Sequence, residues 1–88
     1  MSERATNRGE RLSILLDLLD LFLDRRTPIE FRAVVERVGL ERRTVYRYMQ
    51  VLEARGFAER VHDAPPGRGG QQWQRGPRLT AMARRVAA

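Results

Sequence analysis

The chain has 88 residues, no cysteine and one histidine, and it carries 17 basic against 11 acidic side chains for a net charge of +6. A chain of this length closes one small core and has little room for a deep substrate cavity. Without cysteine there is no disulfide frame and no thiolate metal site, and His62 has no second ligand nearby in sequence. No apolar run approaches the ~20 residues that span a bilayer. The start "MSERATNRGERLS" lacks the hydrophobic stretch of a signal peptide. These features point to a soluble, cytoplasmic protein without cofactor, metal or membrane partner.

All of the basic side chains are arginine, and they are unevenly placed. Residues 1–41 hold seven Arg against eight acids, whereas residues 42–88 hold ten Arg against three acids. A coding bias would explain arginine over lysine but not this asymmetry. A basic half beside a near-neutral half points to a polyanion, most simply nucleic acid.

Residues 1–9 are polar and small and read as a flexible N-terminus. From Glu10 to Asp24, "ERLSILLDLLDLFLD" has a helical period. At ~100° per residue, Ser13, Asp17, Asp20 and Asp24 share a polar arc of roughly 60°. Leucines, Ile14 and Phe22 fill roughly 220°, about twice the stripe that one core requires. Such a helix is expected to cover a second surface, most simply that of another subunit. The acids on its polar arc read as a solvated stripe, not as a carboxylate pair for acid–base chemistry.

Thr27 before Pro28 breaks this helix, and Ile29 begins a very short strand. "EFRAVVERV" then repeats apolar residues at Phe31, Val34, Val35 and Val38, a one-face helix that Gly39 ends. Leu40 is expected to be a buried turn residue. A third helix runs from about Glu41 to Arg55, with Val45, Tyr48, Met49 and Leu52 as its apolar stripe. Glu41 is a poor N-cap for it. "FAERVHD" and "QQWQR" read as two strands around the Pro- and Gly-rich tip "APPGRGG". Gly76-Pro77 opens a last helix with Leu79, Met82, Ala83 and Val86 on one side.

The fold expected from this order is mainly α with a small β-hairpin. It is a winged helix-turn-helix over residues 10–76 with an added C-terminal helix over 77–88. The helix over about 41–55 would be the recognition helix in the major groove. Its outward residues are Arg42, Arg43, Thr44, Tyr46, Arg47 and Gln50. Arginine suits guanine and glutamine suits adenine, while Thr and Tyr hydroxyls suit phosphate oxygens. The bland alternative is a solvated helix face. Arg68, in the wing over about 63–71, would reach the backbone or the minor groove, or would sit on a solvated loop. Trp73 reads as core, with stacking on a base as its other use. His62 reads as a surface strand residue. Nothing supports catalysis.

Three segments, "ERLSILLDLL", "VGLERRTVYRYMQVLEARGFAER" and "WQRGPRLTAMARR", together resemble the DNA-binding domain of IclR-type (isocitrate lyase regulator) transcription factors. The last is the most specific: an aromatic strand residue, a glycine, then Arg-Leu opening a helix. The resemblance spans about residues 10–86. It implies a winged-helix homodimer that reads double-stranded DNA with Arg42, Arg43, Thr44, Tyr46 and Arg47, and with Arg68 in the wing. Members of that family continue into an effector-binding domain, and no such small-molecule domain is evident in this chain. The first and last helices are expected to form the dimer interface, through Ile14, Leu18, Leu21, Leu79, Met82 and Val86. The competing function is a winged-helix protein–protein adaptor without specific DNA binding. An RNA-binding role is a weaker third reading.

Overall fold

The computed structural model describes residues 8–61 and 71–87. Four helices and three short strands follow one another as α1 (Arg8–Asp24), β1 (Ile29–Glu30), α2 (Phe31–Val38), α3 (Arg42–Ala54), β2 (Ala58–Arg60), β3 (Gln72–Arg75) and α4 (Pro77–Ala87). The expected class holds: a mainly helical winged helix-turn-helix. α1 begins at Arg8, two residues ahead of the expected boundary. The strands are shorter than the segments that suggested them.

The sheet is antiparallel, in the order β1-β3-β2. Trp73 lies at its centre, opposite Ile29 on one side and Arg60 on the other. Both neighbours pair with it, and it is fully buried. Trp73 is therefore core, not a base-stacking surface. Every described element supplies at least one buried apolar residue. These include Leu18 and Phe22 of α1, Val34 of α2, Val45 and Met49 of α3, and Leu79 of α4. No charged or polar side chain is fully buried among the described residues.

The turn between α2 and α3 depends on Gly39, whose φ of 78° lies in the left-handed region. Its N–H donates to the Val35 carbonyl at 2.9 Å and closes the helix. Glu41 is the N-cap residue of α3 and makes no side-chain capping bond, as its chemistry predicts. Leu40 is half-buried, so it packs against the core without being sealed in it.

An arginine, Arg75, and a glycine, Gly76, fix α1 and α4 to this frame. Arg75 donates to the carbonyl oxygens of Phe22 and Leu23, the last turn of α1. A cation there satisfies carbonyls that the helix leaves open and complements its dipole. Gly76 lies against the turn after α3; a Cβ on it would stand 2.4 Å from the Gly56 oxygen. Only glycine permits that approach. The same Gly56 oxygen accepts from the Arg78 N–H at 2.9 Å, so the start of α4 is held by the end of α3. This explains the glycine and the Arg-Leu of "WQRGPRL": Arg78 covers the Phe57 ring at 5.1 Å, and Leu79 enters the core.

The expected dimer residues need correction. Leu18 and Leu21 are 1% and 6% exposed, and Leu79 is 3% exposed. All three belong to the chain's own core, and Ile14 is half-buried against it. The 220° arc indicated two apolar surfaces but could not say which one faced the sheet. The open surface is carried instead by Leu12 and Leu16, at 61% and 58% exposure, and by Leu23. Half-buried Leu19 completes a stripe spaced four, three and four residues apart. Met82 and Val86 on α4 are exposed as expected. No described helix is long and apolar enough to cross a membrane.

Candidate nucleic-acid interface

The geometry of α3 begins with its buried stripe. Val45, Met49 and Leu52 are sealed, and these positions share one side of the helix. Arg43, Arg47 and Gln50 fall within roughly 60° on the opposite side. All three are exposed, and none has a hydrogen-bond or ion-pair partner among the described residues. Side chains with several donors each thus stand open along one face. Arg42 is exposed too, with its guanidinium carbon 5.1 Å from the Phe31 ring centroid, so its direction is partly set by that cation–π contact. Thr44 is half-buried at the edge of the open face.

Tyr46 departs from its expected place. It is half-buried, and its ring meets Phe31 edge-on at 5.8 Å and 89°. Its hydroxyl accepts a 2.8 Å hydrogen bond from Arg60. Tyr46 therefore belongs to the packing of α3 on its neighbours, on the flank between the buried and open faces. Tyr48, placed in the apolar stripe by its spacing, is also only half-buried. Val51 is an exposed apolar residue beside the open face. His62 and Arg68 lie outside the described residues, as does most of the wing.

Sequence reasoning overlooked Arg60, which is tied to the flank of α3. Its Nε donates to Glu53 Oε2 at 3.1 Å, and its Nη2 donates to Glu53 Oε1 at 3.2 Å. The same guanidinium carbon lies 5.5 Å from the Tyr46 ring centroid and 5.1 Å from that of Trp73. The Glu53 hydrogen bond raises the Arg60 pKa above its ordinary value despite the opposing effect of desolvation. A sequence signal was present. Strand alternation places Arg60 on the same side of β2 as buried Ala58, and a charge pointing inward needs a partner. The partner could not be read, because the chain reverses at Gly56 between Glu53 and Arg60.

A winged helix-turn-helix with an arginine-bearing open face on α3 defines a class of DNA-binding domain. The IclR helix-turn-helix domain model matches residues 12–62, more than half of the chain. The chain belongs to that family, and its general role is DNA binding in transcription regulation. A comparison with curated proteins finds no match. The matched region runs from α1 to the end of β2 and so contains both the open face of α3 and Arg60.

Proposed function

We propose that the chain recognises a specific double-stranded DNA sequence as a homodimer, with α3 in the major groove and the wing on the adjoining backbone or minor groove. The observation that carries this reading is the open row of Arg43, Arg47 and Gln50 opposite the buried stripe of α3. Arginine can hold guanine O6 and N7 with two hydrogen bonds, and glutamine can hold adenine likewise. Arg42 and Thr44 are placed at the first turn of α3, where phosphate contacts fix register. The positive end of the helix dipole favours a phosphate there as well. Arg68 supplies a further cation from the wing.

The dimer is proposed on the Leu12, Leu16, Leu19 and Leu23 stripe of α1, with exposed Met82 and Val86 of α4 as further apolar surface. Four-three-four spacing is that of a coiled-coil seam, which buries against an identical helix. Charge favours the same occupant. A groove of about 750 Å³ between the end of α1 and α4 is lined by Arg25, Arg26, Arg75 and Arg84 with one acid, Asp24, whereas the polar arc of α1 also carries Asp17 and Asp20. A second copy thus brings both apolar and opposite-charge surface. The region 77–88 then acts as part of the interface.

Selection of bound duplexes from a random pool, followed by gel shifts across a salt series, tests this reading. The expected result is one enriched, two-fold symmetric sequence whose affinity falls steeply with salt. A chain that self-associates but enriches no duplex would turn the reading to the adaptor function.

A further inference from the structure

The side chain of Arg60 joins the first strand of the wing to two points of α3. Glu53 and Tyr46 are seven residues apart, so they sit two turns apart on one flank of the helix. That separation is ~10 Å along the axis. The apolar stripe beneath α3 resists separation but is non-directional, so by itself it tolerates small rotations of the helix. The Arg60 fork is directional. It holds both Glu53 carboxylate oxygens at 3.1 and 3.2 Å and the Tyr46 oxygen at 2.8 Å, with its guanidinium carbon 5.5 Å from the Tyr46 ring and 5.1 Å from the Trp73 ring.

The contacts continue past Arg60. Tyr46 meets Phe31 edge-on, and Phe31 lies under Arg42, the first residue of α3. The Phe31 N–H donates at 2.8 Å to the carbonyl of Gln71, where the chain returns from the wing. Arg60 precedes residues 62–70 and Gln71 follows them, so both ends of the wing segment are tied to the same aromatic relay.

We infer that Arg60 is a positioning residue that sets the orientation of the recognition helix from the wing, acting through Tyr46 and Glu53, so that sequence selectivity depends on it although it contacts no base. Bidentate base contacts need both partners held in plane, whereas phosphate attraction tolerates a turned helix. Loosening the Arg60 grip therefore lowers discrimination between sequences more than it lowers general affinity for duplex DNA. The inference rests on the sequence-specific reading given above.

The test uses the full chain and two duplexes: the one enriched by the wild-type protein, and a scrambled duplex of the same composition. Arg60→Lys keeps the positive charge but loses the fork and the planar stacking. Its affinity ratio for enriched over scrambled duplex is expected to fall about tenfold, with the scrambled affinity held within about twofold. Tyr46→Phe keeps the ring contacts and the ion pair and removes one acceptor. It should reduce the ratio about threefold, as the loss of one net hydrogen bond would. If Arg60→Lys does not fold, Tyr46→Phe carries the test alone. Equal losses on both duplexes, or unchanged ratios in folded variants, overturn the inference and leave the DNA reading intact. A wild-type protein that enriches no sequence overturns both.

Discussion

α1 and α3 each bury one side in the same core, and they differ in what they leave open. On α1 the open side is leucine, at Leu12, Leu16 and Leu23. On α3 it is Arg43, Arg47 and Gln50. Exposed apolar rows mark surfaces that are covered by other apolar surface. Exposed guanidinium rows mark surfaces that are covered by anions. On the proposed reading the two open sides meet two different partners, and the polarity of the open side distinguishes the helices where the buried side cannot.

The sharpest way to break this comparison is to put the same charge on either side of α1. Leu18→Glu places a carboxylate in a cluster with Phe22, Val34 and the other sealed residues, all of them apolar. Circular dichroism should show a chain that does not fold. Leu16→Glu adds the same group to a position that is 58% exposed, and its melting midpoint at low concentration should stay near wild type. If both variants unfold alike, the two sides of α1 are not distinct.

Leu16→Glu also sharpens the role of the leucine side. Sedimentation at micromolar concentration is expected to give a wild-type dimer and a variant monomer of 10.2 kDa. Joining two half-sites through one dimer multiplies affinity by about 10²–10⁴ over a single domain. The variant should lose most of that factor on the full two-fold symmetric duplex and little on a half-site. A wild-type chain that sediments as a monomer removes the homodimer and leaves the leucine row for a different protein.

These two experiments depend on what the sequence could and could not say. Helix periods, Gly39 and the Pro-Gly tip were enough to place every helix, because those signals are local. The doubled apolar arc of α1 was also legible. Which half of it faces inward was not, because leucine occupies both halves and the sheet that decides lies far along the chain. The same limit applied to Tyr46. Its position 95° or so from the centre of the buried stripe made it look outward. An arginine fourteen residues later, on another element, draws its hydroxyl into the packing. Arg43, Arg47 and Gln50 were read correctly as outward, since the buried stripe alone determines the face opposite to it.

The arginine side of the comparison is tested by Arg43→Ala and Arg47→Ala. Neither residue has a partner among the described residues, so folding stability should change by less than about 0.5 kcal/mol. Binding should weaken by about 1–3 kcal/mol for an arginine on a base edge, with relaxed preference at one position of the site. An arginine on a phosphate would instead weaken all sequences alike and flatten the salt slope. Wild-type affinity in both variants would mean that the open face of α3 is solvated and meets no DNA.

The smallest effect is expected from the wing, and it asks whether the arginine surface ends at α3. Arg68 lies outside the described residues, within the Gly- and Pro-rich segment between β2 and β3. A single arginine outside the recognition helix supplies one contact beside the several that α3 can make. Arg68→Ala should therefore reduce affinity only a few-fold. If the side chain enters a minor groove, the loss is concentrated on A·T-rich flanks, where the groove is narrow and its potential most negative. If it meets the backbone, the loss is equal on all flanks and one phosphate contact disappears from the salt slope. Gel shifts on a set of duplexes that differ only in their flanks separate these two outcomes. No change on any flank would take Arg68 out of the DNA contact, and the arginines of α3 would then carry the recognition without the wing.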